Sequence, residues 1–189
     1  MLGSVIVKRR TSSKTDRSER AQIVDQADGG DSRFFIYLLF SFLHRADRER
    51  RAPLQGDLDL AIIAEAVAIA AIDPRMRDPQ FRQDYGRMSQ IVGIEGQRGV
   101  NALSIAASTG LPRETTRRKI KRLVELGIVV EVSRGKYVMK PGYLQTPAIR
   151  GTLDNLARET VRFINECLDN GVLKLAPQKP GLSNPDLRD

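Results

Sequence analysis

The chain has 189 residues, 41% hydrophobic and 29% charged, with a formal net charge of +8. That length allows one good core, or a small domain with extra helices packed on it, and the composition is that of a soluble globular protein. A single cysteine, Cys167, excludes a disulfide framework within the chain, and with only one histidine, His44, no zinc site can be built from Cys and His.

Residues 1–32 are rich in Ser, Thr, Lys, Arg, Asp and Gly and show little periodicity, which predicts a mobile arm unable to bury enough apolar surface to offset ordering. Its Lys8, Arg9, Arg10, Lys14, Arg17 and Arg20 can follow a DNA backbone. The segment also holds five Asp/Glu, however, and a plain solvated tail is the favoured reading. The opening MLGSVIVKRR lacks the apolar core of a signal peptide, and its charges follow the short apolar run instead of preceding it. A cytoplasmic protein is expected.

Residues 33–45, RFFIYLLFSFLHR, are apolar nearly all the way round, as a helix enclosed on several sides would be. Residues 57–72 follow the same pattern, and Asp73–Pro74 is expected to end that helix. Both stretches fall short of the roughly 20 residues that a membrane span requires, and Asp59 and Glu65 interrupt the second. Two such helices carry more apolar surface than one small domain covers, which predicts a homodimer. A third helix is expected over 79–92, opened by Pro79. Residues 33–97 thus read as a helical region for dimerisation and support.

Residues 98–140 hold ten of the chain's 31 Lys/Arg but only three of its 23 Asp/Glu, so nearly all of the excess charge sits there. Asn101 is a candidate N-cap for a first helix, Gly110 supplies the turn four residues after Ala106, and Pro112 opens a second helix. At 100° per residue, Thr116, Ile120 and Leu123 share one face of that helix with Val124 beside them. The opposite arc holds Glu114, Arg117, Arg118, Lys121 and Glu125, with Arg113 and Arg122 at its margins. Gly127 stops the helix, and residues 128–133 alternate Ile128, Val130 and Val132 inward as a half-buried strand would. A turn at Arg134 and Gly135 returns the chain through Lys136 to Met139. A basic helix of this kind suits a polyanion whose groove admits a helix, and duplex DNA fits that description.

Residues 144–175 form a last helical segment: within 147–170, Ile149, Leu153, Leu156, Thr160, Ile164, Cys167 and Leu168 make one stripe, ended by Gly171. The stripe suits a second dimer contact and packing within its own subunit equally well. Residues 176–189, with three prolines, read as a flexible tail.

The set TTRRKIKRLVELGIV, the Ala-x-x-x-Gly turn before it and the basic hairpin after it resemble the winged helix-turn-helix transcriptional regulators of bacteria over residues 98–143. The flanking helices, two apolar ones before and a long one after, are similar to the dimeric MarR-type arrangement. The fold implied is mainly α with a small two-stranded β-wing, a winged helix-turn-helix domain with flanking dimerisation helices. The resemblance implies that the second helix enters the major groove while the wing reaches a minor groove or a phosphate row. Arg113, Arg117 and Lys121 would then reach guanine edges or phosphates, and Glu114 a cytosine amino group, although an intrahelical pair with Arg117 or Arg118 is the favoured role for Glu114. Arg118, Arg122, Arg134 and Lys136 would contact phosphates.

Enzymatic chemistry is not expected. Gly93, Gly96 and Gly99 lack the spacing of a phosphate loop, and Asp57 with Asp59 suits the start of a helix. No cofactor is expected. Cys167 suits an oxidation sensor less well than it suits a small apolar core residue. The leading expectation is a regulator binding a near-palindromic operator as a homodimer, with an unidentified small-molecule effector between the flanking helices and the winged unit. The rivals are a nucleoid-associated or RNA-binding winged helix without sequence preference, and a scaffold that docks an acidic protein.

Overall fold

Asp57 starts the helix around which the larger part of the protein is built. Its carboxylate accepts the Leu60 N–H at 3.1 Å, and the apolar run behind it propagates for five turns. The computed structural model describes residues 23–25 and 32–176. The chain divides into two units, residues 37–163 and the described parts of 1–36 and 164–189. Among the described residues the protein is mainly helical, with two small antiparallel sheets of two strands each.

The elements in chain order are β1 (Ile23–Asp25), α1 (Arg33–Arg51), α2 (Leu58–Met76), α3 (Pro79–Tyr85), α4 (Ala102–Thr109), α5 (Arg113–Glu125), β2 (Val129–Ser133), β3 (Lys136–Met139), α6 (Pro147–Asp169) and β4 (Leu173–Leu175). Within residues 37–163, Ile63 and Val67 of α2 are fully buried among Ile105 of α4, Ile120 and Leu123 of α5, and Val129 and Met139 of the hairpin. Each such side chain contributes about 1.5–3 kcal/mol when fully removed from water. The boundary expected between 97 and 98 therefore runs through a single core. Of the helical region 33–97, α2 packs directly on α4, α5 and β3, which cover its apolar sides.

Helix α2 also outruns its expected end at Asp73–Pro74 and continues to Met76 with Pro74 inside its last turn. A proline so close to the end removes only one intrahelical N–H. The Ala71 carbonyl in that region accepts the Arg98 N–H at 2.8 Å. By contrast, α3 stops at Tyr85, well short of residue 92. Gly86 closes it so tightly that a Cβ there would lie 2.3 Å from the Arg82 carbonyl oxygen.

Helix α1 runs six residues beyond the expected Arg45, to Arg51. Among the described residues it is covered on one side only: Leu38 and Ala46 are buried, whereas Tyr37, Phe40 and Leu43 are exposed. Its 37–51 portion lies antiparallel to α6, with Phe42 stacked on Phe163 at 4.9 Å, Arg45 on Glu159 and Glu49 on Asn155. Arg50 joins α1 to α2 through two bonds to the Glu65 carboxylate at 2.9 and 2.6 Å. The buried face of α6 differs from the expected stripe. Leu153 and Thr160 are exposed, while Asn155 and Glu159 are half-buried because they bond α1.

The hairpin pairs Val129 with Met139, Val130 with Val138 and Glu131 with Tyr137, then shifts register before Ser133 and Lys136. Buried Ile128 and Val129 are adjacent, and Val132 is 38% exposed, so the inward alternation expected of Ile128, Val130 and Val132 fails beyond the base of the strand. The register shift re-aims the outer residues. Val100 adds a rung beside β3, exchanging both backbone hydrogen bonds with Tyr137 at 2.9 and 2.8 Å. The Gln97 side chain does the same for Met139, donating to its carbonyl and accepting its N–H.

In the smaller unit, β1 and β4 pair antiparallel, Ile23 opposite Leu175 and Asp25 opposite Leu173. Ser32 accepts the Phe35 N–H on its hydroxyl and so caps the start of α1. Gly171 ends α6 with φ +70°, and Cys167 is fully buried. The expected arm 1–32 thus contributes a strand, and a second strand closes the segment 144–175. The rest of that arm, with Lys8, Arg9, Arg10, Lys14, Arg17 and Arg20, and residues 177–189 of the expected tail lie outside the described residues.

Candidate nucleic-acid interface

Local signals place α4 and α5. Asn101 accepts the Ser104 N–H at 2.8 Å, capping α4. Gly110 adopts φ +71°, and its N–H returns to the Ala106 carbonyl at 3.0 Å, ending the helix with the left-handed backbone that glycine tolerates. Pro112 stands at the N-cap of α5, one position before the first helical residue. Its carbonyl accepts both the N–H and the hydroxyl of Thr116, at 2.9 and 3.1 Å. Thr116 can therefore be fully buried beside Ile120 and Leu123 without leaving a polar group unpaired. Val124 is at the margin of that face, 36% exposed.

With that face buried, the other side of α5 meets solvent. Arg113, Glu114, Arg117, Arg118, Lys121 and Arg122 are all exposed, as are Arg134 and Lys136 of the hairpin. Glu114 is 3.6 Å from the Arg117 guanidinium, and Glu125 3.3 Å from that of Arg122, both as one-turn neighbours in water, where such pairs add little. Among the described residues, Arg113, Arg118, Lys121, Arg134 and Lys136 form no ion pair. An open groove of about 610 Å³ runs between α5 and the hairpin, lined by Glu114, Arg117, Arg118 and Lys121 on one side and by Glu131 and Tyr137 on the other. Arg113, Arg122, Arg134 and Lys136 lie outside its lining.

Two residues of this face escaped sequence reasoning. Glu131 points back to accept the Gly135 N–H at 2.7 Å, which closes the hairpin turn. Lys119 belongs to the basic helix but not to its exposed arc. Its ammonium sits 2.7 and 2.6 Å from the two Asp57 oxygens and 3.5 Å from Asp59. Burial would raise the Asp57 carboxyl, but the Lys119 hydrogen bond and the Leu60 N–H outweigh it and hold the group below the ordinary carboxylate value. The available signal was the position of Lys119 directly before buried Ile120, at the border of the apolar face.

Among the described residues, no cluster of three His, Cys, Asp or Glu is placed to hold a metal ion, and no helix is long and apolar enough to cross a membrane. Neither a family model, a curated protein nor a solved structure matches this chain.

Proposed function

We propose that the protein is a winged helix-turn-helix transcriptional regulator of MarR-like arrangement that binds duplex DNA as a homodimer in the cytoplasm. One observation carries the reading: α5 buries Thr116, Ile120 and Leu123 and turns Arg113, Arg117, Arg118, Lys121 and Arg122 to solvent. A 13-residue helix is about 20 Å long, and a B-DNA major groove about 12 Å wide receives such a helix side-on. Arg117 and Lys121 at the centre of the arc take the base edges. Arg113 shares that role at the N-terminal end, while Arg118, Arg122, Arg134 and Lys136 hold phosphates. Glu114 serves mainly to orient Arg117, its one-turn neighbour.

The exposed apolar stripe of Tyr37, Phe40 and Leu43 on α1 supports association of two copies. Two recognition helices related by a two-fold axis would then read half-sites about 34–36 Å apart. The cleft of about 100 Å³ lined by Leu54, Ala61, Ala64, Leu144, Ile149 and Leu156, and also by Arg50 and Glu65, is smaller than a drug-sized ligand needs, so an effector there would have to widen it.

The test is selection of duplexes from a random pool, followed by anisotropy titrations of the selected duplex and a scrambled one at several salt concentrations. The expected result is preference for the selected, near-palindromic duplex, abolished by Arg117→Ala with Lys121→Ala. Equal, steeply salt-dependent binding to every duplex would replace the regulator with a non-specific nucleic-acid binder. Absence of binding at moderate salt would leave the scaffold reading.

A further inference from the structure

Lys119 is set apart from the other cations of α5. Its side chain is only 15% exposed, and it bonds both oxygens of Asp57, a residue 62 positions earlier that caps α2, with Asp59 as a second carboxylate nearby. The N-terminal end of α2 is thereby tied to the middle of α5. The contact lies on the flank of α5, between the buried face of Thr116 and Leu123 and the Arg122 margin of the exposed arc, across the buried face from Arg117.

Apolar packing alone fixes the rotation of a helix loosely. The face of Thr116, Ile120 and Leu123 can roll by several degrees with small loss of contact, because dispersion and burial are non-directional. A charge-assisted bond to two carboxylate oxygens is directional and short, so it selects one rotation. Rotation matters for base reading, since a bidentate contact tolerates little misplacement, whereas phosphate attraction tolerates much.

We infer that Lys119 is a positioning residue: held by Asp57 and Asp59, it locks the rotation of α5 on α2 and so sets which base edges Arg117 and Lys121 reach. It contributes discrimination between sequences and makes no phosphate contact of its own. The inference rests on the DNA-binding reading for its consequence, but the lock itself is a property of the free protein.

The experiment uses the full chain with Lys119→Met, Lys119→Arg and Asp57→Asn. Asp57→Asn keeps the N-cap, since Asn caps helices as well as Asp, and removes only the charge. Native-state hydrogen exchange reads the lock. The expected result is faster exchange of α5 amides in Lys119→Met and Asp57→Asn, with α4 amides unchanged and Lys119→Arg restoring protection. Anisotropy with selected and scrambled duplexes reads the consequence. In both lock-breaking variants the ratio of the two affinities falls about 10-fold, the loss of one bidentate contact. The slope of log K against log salt stays at the wild-type value, whereas Arg118→Ala, which removes a phosphate contact, lowers its magnitude by about 0.9. A reduced salt slope in Lys119→Met with the ratio intact would make Lys119 a phosphate ligand and overturn the inference. Unchanged α5 exchange in both variants would overturn it whether or not any DNA binds. A wild-type chain that binds no duplex while its α5 exchange responds as expected would sink the regulator and the claim of discrimination, and leave the lock standing as a structural one.

Discussion

Gly110 and Gly151 provide a matched pair of sites for the same substitution with opposite expected signs. A Cβ built at either position meets nothing within 4 Å, so Gly→Ala adds no steric clash at either. They differ in backbone conformation. Gly110 holds φ +71° in the turn between α4 and α5, whereas Gly151 lies within α6. At Gly110 the left-handed conformation costs an alanine about 1–2 kcal/mol, offset by about 0.4–1 kcal/mol because alanine has fewer unfolded states to lose. The net is a destabilisation of about 1 kcal/mol. At Gly151 the native backbone suits alanine, and the substitution stabilises by about 0.5–1 kcal/mol. Equilibrium urea unfolding measures both, and the midpoints of the two variants should differ by about 0.5–1 M with m unchanged. Gly110→Asn, which tolerates the left-handed region, should lie between Gly110→Ala and wild type. If Gly110→Ala raises the midpoint as Gly151→Ala does, the left-handed turn at Gly110 is wrong.

Other residues carry further expectations. Gly99→Ala places a Cβ 3.1 Å from the Lys136 Cβ and 3.4 Å from the Val132 Cγ2, so it should push the hairpin from Val100, cost about 1–3 kcal/mol and speed amide exchange at Tyr137. The Asp57 carboxyl is held below its ordinary value of 3.8, so its contribution to stability is present above that value and is lost as pH falls through the depressed folded value. Asp57→Asn should therefore flatten the acid limb of a stability-versus-pH curve, and an unaltered limb would remove Asp57 from the acid response. Burial, and secondarily Glu166, pushes the Cys167 thiol up, and the side chain is fully buried. Alkylation at pH 7 should accordingly wait for unfolding, and reaction at the rate of a free thiol would contradict that burial.

The features legible in the sequence were those decided within one or two turns of chain. Asn101 caps α4, Gly110 takes the left-handed turn, Pro112 precedes α5, and Thr116, Ile120 and Leu123 face inward, because capping, backbone freedom and 3.6-residue periodicity act locally. The exposed positions of all eight candidate DNA contacts followed from that same periodicity and from the hairpin tip. Contacts between distant parts of the chain were not legible. Val132 is partly exposed because the hairpin register shifts between Glu131 and Ser133. The pairing of β1 with β4 joins opposite ends of the chain through segments too short to signal a sheet. The same holds for α2, whose all-round apolar surface announced burial without saying against what, and for Lys119, which composition groups with the other cations of α5. The sequence by itself determined where helices start and stop around α4 and α5 and which residues turn inward there. Only the tertiary structure decided that α2 shares their core and that Asp57 holds Lys119, because residues 62 positions apart meet through packing, which no local preference encodes.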